Sequence, residues 1–552
     1  MDRAMYMVYL KHKKARYTSM SFRQNQSQQV TFSDAYWGLT DREKKALERS
    51  WAKVFSEDIF PNINEEPFEV LYSDKASRPN TPVNIIIGAL IIKELFGISD
   101  DEVVESLMLD HRFQYALHTM SFDEQPLSDK SLSRFRIRCY DYETTHGVDL
   151  YHDCIRDLSH AIAKMMKIDG RIRRIDSTMI EANIRKLSRM ELIYTCIAKL
   201  VRYLDKINAN FDHERFDHYL DRDDYNRFIY HSRDDEVGER MLTLLSDADA
   251  LIELCQGGYD DVTAYQLFSR CMSEQTIVDG SDRRLRTKED GGMDSNTMQN
   301  PSDSDATFRQ KAGKEHRGYT ANIEESVGST GSVVTDYRFE KNNVSDDAML
   351  KEHFESLEPA LEKILLTVDG AYASVENIEL AAEKNIELVP TELKGEATDP
   401  IMADFKFNED YTKVTECPAG HAPKSCSYNK ITEQCMLSFD REQCVNCPFQ
   451  DQCSPKIFKR VAKKAVSRKS VARAEYIKSK DTDRFRQISR LRNGIETIPS
   501  LLKNRYGVNR MPVHGLQRSK FFFGSKIGAL NFRKLIRFRD GTGNYALNPI
   551  LG

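Results

Sequence analysis

Two short segments constrain what this 552-residue chain can fold into. In LEKILLTVDGAYAS, the run Ile364 to Val368 has strand length and is apolar apart from Thr367. It ends on Asp369 and Gly370, ahead of a helix expected from Ser374 to Lys384. In KIDGRIRRIDST, Asp169 and Gly170 suit a tight turn between two extended arms, and the second arm runs into Asp176. An acid leaving a buried strand at its carboxyl edge sits where open sheets place ligands. IELVP repeats the strand and helix rhythm, while GYTANIEES and SVVTDYRFEKN read as a meander turning between Gly328 and Gly331. With 193 residues between the two aspartates, the reading is an α/β fold whose mixed sheet is assembled across long insertions.

Helical patterns dominate the amino-terminal side. DREKKALERSWAKVF (Asp41 to Phe55) places Leu47, Trp51 and Phe55 on one face. Thr81 and Pro82 open an apolar helix that ends at Gly97, and Ser99 with Glu102 forms a capping box for the next. A further helix opens at Ser128 and carries Lys130, Arg134 and Arg138 at four-residue steps. Such a stripe can lie along DNA phosphates or simply be a solvated face. From Ile180 to about Leu254 the chain is again helical, as an inserted subdomain or dimerisation element. Residues 279–310 are rich in turn formers and are expected to be a long surface loop.

Composition narrows the function classes. No apolar window reaches the roughly 18 residues of a membrane span, and MDRAMYMVYLKHKK lacks the apolar core and cleavage site of a leader. The 11 cysteines are odd in number and six fall between Cys417 and Cys453, so one local cysteine site in a reducing compartment is expected rather than a disulfide framework. A net charge of -5 with a pI of about 6.3 neither favours nor excludes nucleic acid.

Asp176 and Asp369 can approach on neighbouring strand ends and hold a hard divalent cation such as Mg²⁺, although turn and helix-cap roles fit them too. The best third acid is Glu496. Arg492, Glu496 and Lys503 fall at i, i+4 and i+11, opposite a packing side of Ile488, Leu491, Ile495 and Leu502, and Pro499 is expected to bend or end the run. In the cysteine segment, Cys444 and Cys447 form a C-x2-C knuckle. A structural Zn²⁺ is expected on Cys426, Cys444, Cys447 and Cys453, with Cys417, Cys435 or His421 as replacements; free thiols, a redox pair or an iron and sulfur centre are the other uses of such residues. The stretch Lys456 to Lys480 has ten Lys and Arg against one Glu, and Lys456, Lys459, Arg460, Lys463 and Lys464 are read as DNA backbone contacts ahead of the Glu496 helix.

The ordered set SRPNTPVNIIIGALIIKELFGISDDEVVESL with DKSLSRFR, RRIDSTMIEAN, PSDSDATFRQKAGKEHRGYTANI with VVTDYRFEKNNVSD, LLTVDGAYAS and the arginine, glutamate and lysine face resembles a bacterial insertion-sequence transposase of the DDE superfamily. The subgroup it resembles has a helical amino-terminal transposase domain and a cysteine-rich insert. The resemblance implies an RNase H-like core in which Asp176, Asp369 and Glu496 bind two Mg²⁺ or Mn²⁺ ions for phosphodiester hydrolysis at transposon ends and strand transfer into target DNA. It also implies DNA contacts by Arg492 and Lys503; where the related signature has tyrosine, this chain has Ser489. The implied partners are terminal inverted repeats, target DNA and a second copy of the chain, in a cytoplasmic, nucleoid-associated setting. A nuclease that does not join ends and a non-catalytic, zinc-stabilised DNA-binding protein are the alternatives. The corresponding division is a helical DNA-binding domain over 1–165, catalytic core over 166–184 and 310–410, helical insertion and loop over 185–309, cysteine-rich and basic segment over 411–480, and final core helix with tail over 481–552.

Overall fold

Capping chemistry sets the helices of the amino-terminal third. The computed structural model describes residues 21–25, 35–73, 79–120, 127–230, 236–280, 282–292, 294–311, 313–391 and 398–542. Residues 1–14, on which the reading of no leader rests, lie outside them. Helix α1 (Asp41–Glu48) begins in a Thr40 and Glu43 capping box. The single helix expected to Phe55 breaks at Ser50, because its hydroxyl accepts the Ala52 amide at 3.2 Å and restarts the chain as a new short helix. Helix α2 (Val83–Phe96) is buried at every position except Phe96 and stops at Gly97, whose φ is 71°. Helix α3 (Asp100–Leu109) uses the Ser99 and Glu102 box as read. Helices α4 (Asp129–His146) and α5 (Leu150–Met165) follow.

Strand β1 (Ile172–Glu181) is the centre of the main sheet. The expected hairpin at Asp169 and Gly170 does not form, since the chain before Gly170 descends directly from α5. Strand β1 finds its partners far away in sequence. The insertion between them packs α6 (Arg189–Lys206), α7 (Val237–Cys255) and α8 (Thr263–Gln275) around its own core, which includes Ile197, Leu200, Leu244, Leu251 and Phe268. The expected loop over 279–310 is more ordered than its composition implied. Strands β2 (Thr276–Asp279) and β3 (Asp282–Leu285) form a hairpin, and Asp303 is buried and accepts the Tyr319 hydroxyl at 2.6 Å. Polar anchors hold this segment where large apolar side chains are scarce.

Strands β4 (Thr307–Lys311), β5 (Lys314–Gly328) and β6 (Gly331–Lys341) are antiparallel neighbours, and β5 pairs antiparallel with β1 from Arg173↔Ser326 to Glu181↔Gly318. After α9 (Asp346–Ser356), β7 (Ile364–Val368) pairs parallel with β1; after α10 (Val375–Glu383), β8 (Ile386–Pro390) pairs parallel with β7. The spatial order β6, β5, β1, β7, β8, antiparallel on one side of β1 and parallel on the other, is consistent with an RNase H-like core.

The cysteine-bearing residues fold as a second antiparallel sheet of β9 (Ser425–Asn429), β10 (Gln434–Asp440), β11 (Lys456–Ile457) and β12 (Val461–Ser467), in the order β9, β10, β12, β11. Helices α11 (Arg468–Ser479), α12 (Asp483–Asn493), α13 (Thr497–Asn504) and α14 (Leu516–Arg539) complete the chain. Helix α14 packs on α2, α5 and β6, so Ile91, Ile155, Tyr337 and Phe523 share one core. Among the described residues no helix is long and apolar enough to cross a membrane.

Candidate functional site

The register of β1 and β7 determines where the two aspartates stand. The last parallel pair is Arg174↔Thr367. Pairing stops there; Asp369 follows β7 directly and lies near enough to Asp176 for its charge to act on that carboxyl. Each carboxylate is oriented locally: Asp176 Oδ1 accepts the Ser177 amide at 2.9 Å and Asp369 Oδ1 the Gly370 amide at 2.6 Å. Burial pushes the Asp176 carboxyl above the usual aspartate range, the nearby Arg492 cation opposes that shift, and the Asp369 charge adds to it.

Helix α12 delivers the third group. Its end is fixed by Gly494, where the chain tightens into a single 3₁₀ turn, Gly494–Glu496, before α13. Pro499 falls in the first turn of α13 and has no amide for the Ile495 carbonyl, so the expected interruption of the run lies just ahead of it, in the Gly494–Glu496 turn. Arg492 Nη2 lies 3.2 Å from Asp176 Oδ1 and its Nη1 lies 3.0 Å from Glu496 Oε1. The guanidinium is only 12% exposed, whereas Glu496 is 66% exposed. Lys503 is half-buried on α13 near Glu181 and Lys311, and desolvation holds its pKa below the ordinary lysine value. The structure thus brings Asp176, Asp369, Arg492 and Glu496 to one edge of the sheet.

This geometry corrects the metal expectations. Among the described residues no group of three or more His, Cys, Asp or Glu side chains is arranged to hold a metal ion. At the acidic edge the reason is Arg492: a guanidinium, rather than a shared cation, joins Asp176 to Glu496. The Mg²⁺ or Mn²⁺ pair read for Asp176, Asp369 and Glu496 does not fit these residues as they stand.

The Zn²⁺ expectation fails on the same finding. Cys417, Cys444, Cys447 and Cys453 line one small void with His421, Phe439, Phe449 and Lys464. Cys426 lies elsewhere, on β9, near Cys435 on the adjacent strand. Burial raises the Cys444 thiol to about 11 and also raises Cys453.

The basic residues are scattered over several elements. Lys130 and Arg134 are exposed on α4, while Arg138 lies over the Tyr72 ring at 4.7 Å. Lys456, Lys459, Arg460 and Lys463 are exposed on and around β11 and β12, but Lys464 turns inward and donates to the Cys453 carbonyl.

Sequence reasoning missed the frame beneath the site. Arg174, two residues before Asp176, donates to Glu325 Oε2 at 2.7 Å and to the Leu491 carbonyl at 2.6 Å, while Lys534 reaches Glu325 Oε1 at 2.5 Å. Glu325 is fully buried; desolvation opposes its charge, yet the Lys534 and Arg174 cations hold its pKa below the usual glutamate value. The only sequence signal was charge within strand-like runs, in RIRRID and NIEES.

Comparison with known proteins adds two partial matches. The family model described as Transposase DDE domain matches residues 416–536, a span containing Arg492, Glu496 and Lys503. The family model described as Transposase domain (DUF772) matches residues 44–138, which include the later part of α1, all of α2 and α3 and the first part of α4. No curated protein and no solved structure matches the chain. The two matches, one near each end of the chain, give this protein transposase-family character.

Proposed function

We propose that this chain is a DNA transposase that cuts phosphodiesters at the ends of a mobile element and joins the freed ends to target DNA. The observation that carries the reading is the gathering of Asp176, Asp369, Arg492 and Glu496 at one edge of an RNase H-like sheet, in a chain whose two family matches are both transposase domains. In this reading Asp176, Asp369 and Glu496 are the catalytic acids. Arg492 and Lys503 hold phosphate oxygens, for which a planar guanidinium is well shaped. Cleavage breaks a P–O3′ bond with water as nucleophile; joining uses the resulting 3′ hydroxyl against a second phosphodiester, so one site serves both steps. Duplex DNA is held by Lys130, Arg134 and Arg138 on α4 and by the basic residues around β11 and β12. Two ends must be processed together, and a homodimer on DNA meets that need.

A second reading, a DNA-binding protein without chemistry, draws on one observation: Arg492 already pairs with both Asp176 and Glu496. A joining assay separates the two. Purified protein is incubated with a supercoiled plasmid and with linear fragments taken from the two flanks of its own coding region, beside Asp176→Asn and Glu496→Gln variants. The transposase reading expects nicks and joined products from the wild type and neither from the variants. Nicks without joining favour a nuclease, and equal products from all three proteins refute the site.

A further inference from the structure

Within the basic stretch, three of the ten cations pair with acids and a fourth is held by a carbonyl. Arg468 pairs with Glu379 at 2.8 Å, Lys469 with Glu433 at 3.6 Å and Lys478 with Asp404 at 2.6 Å, while Lys464 is tied to the Cys453 carbonyl. The β11 to β12 hairpin differs. Lys456 through Arg460 are five consecutive exposed residues, and none of Lys456, Lys459, Arg460 and Lys463 has an acidic partner within ion-pair distance among the described residues. The Phe458 amide donates to the Val461 carbonyl at 2.8 Å, which leaves Lys459 and Arg460 as the two residues at the tip.

Three features make this more than a solvated turn. Lys456 stands directly opposite Lys463 in the register, and like charges directly opposite on neighbouring strands are destabilising unless an anion lies between them. Phe458 is 49% exposed and Ile457 36%, an apolar surface at the most basic point of the sheet. The Lys463 ammonium lies 5.7 Å from the centre of the Phe458 ring, so a cation stands beside the exposed aromatic side chain. The arm is rigidly based, because β12 pairs with β10 over seven residues and buries Ala462 and Val466.

We propose that this hairpin is a groove-reading arm that lays its two strands in the major groove of duplex DNA, with Lys456, Lys459, Arg460 and Lys463 on the flanking phosphates and Phe458 against the base edges. The major groove is about 12 Å wide and admits a two-stranded ribbon. The charge is complementary to a polyanion, and the exposed ring supplies an apolar contact of the kind that thymine methyls accept. The inference rests on the DNA reading above and specifies which element enters the duplex and by which groove.

The test uses the full chain and a mixed-sequence duplex of about three helical turns. Affinity is measured against salt for the wild type, Lys456→Gln/Lys463→Gln and Phe458→Ala, and dimethyl sulfate maps protection of guanine N7 in the major groove and adenine N3 in the minor. Losing two phosphate contacts should flatten the salt slope by about 1.8, so the fall in affinity over a fourfold rise in salt becomes roughly tenfold smaller. Phe458→Ala should weaken binding several-fold at unchanged slope and should remove the N7 protection. The lysine variant should unfold at the same temperature as the wild type or higher, since it relieves a like-charge pair. Wild-type binding with unchanged affinity and slope in both variants overturns the arm and leaves the DNA reading intact. Protection confined to adenine N3 overturns the groove assignment. No duplex binding by the wild type overturns the DNA reading, and the arm with it.

Discussion

Replacing Gly494 with alanine tests whether the position of the candidate site depends on its buried frame. Gly494 has ordinary right-handed backbone angles, φ −63° and ψ −21°, so conformational freedom does not explain it. Space does. A Cβ there would lie 2.2 Å from Arg174 Nη1, 3.0 Å from Cζ and 3.3 Å from Nη2. The guanidinium would have to retreat by roughly 1 Å, but it is clamped between Glu325 and the Leu491 carbonyl. A retreat of that size stretches the 2.6 Å bond to Leu491 beyond hydrogen-bond range. Losing a charged bond costs about 1.5 to 3 kcal/mol and overpacking about 1 to 3, against a gain of up to about 1 from the helical preference of alanine. The expected net loss is about 1.5 to 6 kcal/mol, read as a lower urea midpoint at constant slope. Activity should fall further than stability, because the displaced turn carries Glu496. A second variant, Arg174→Lys, removes the clash, so Gly494→Ala made in that background should cost at least 1 kcal/mol less than in the wild type, as expected for residues in contact. Equal costs in the two backgrounds would refute the steric argument.

Gly318 offers a stricter steric case: φ is +146° and a Cβ would meet the Ile180 carbonyl oxygen at 2.4 Å and the Ala182 amide nitrogen at 2.5 Å, both backbone, so Gly318→Ala should cost about 3 kcal/mol or more in urea unfolding. Glu325→Gln leaves the Arg174 and Lys534 cations poorly compensated in the interior and should lose about 3 to 5 kcal/mol by the same measurement. For His152, burial pulls the pKa down, but the carboxylates of Asp153 and Asp336 outweigh it and raise the imidazole to about 9. The folded value is thus above the unfolded one of about 6.5, so this contribution, about 3 kcal/mol, is fully present below pH 6.5 and is lost as pH rises through 9; the stability gap between the wild type and His152→Gln should close over that window. Asp176→Asn and Glu496→Gln should abolish strand cleavage while changing duplex affinity less than threefold in a mobility-shift titration, because phosphate contacts are spread over many cations.

Much of the frame was legible because it is written in local chemistry. The box at Ser99, the stop at Gly97 and the strand that ends on Asp369 need only a few adjacent residues, and each lies where local rules put it. The failures share a different cause. Spacing marked Cys426 as the companion of Cys444, but the pairing of β9 with β10 carries Cys426 toward Cys435 and leaves Cys417 beside the void. Nothing in a list of cysteine positions encodes that register. Strand parity likewise divides two adjacent lysines, sending Lys463 outward and Lys464 to the Cys453 carbonyl. Arg492 was read as a cation beside Glu496, correctly as far as one helix goes. Its bond to Asp176 crosses 316 residues of sequence and exists only once the sheet has formed.

The pairing of β1 also bears on how the chain is made. Strand β1 leaves the ribosome about 190 residues before β7, and at ordinary elongation rates of roughly 5 to 20 residues per second it waits some 10 to 40 s for that neighbour. The helical insertion with its own core can fold during the wait, and so holds the two halves of the sheet apart before they meet. The amino-terminal helices wait longer still, because their shared core closes only when α14 arrives. A chain truncated before Leu516 therefore displays the apolar sides of α2 and α5, a surface that chaperones and proteases recognise, so incomplete copies are exposed to removal.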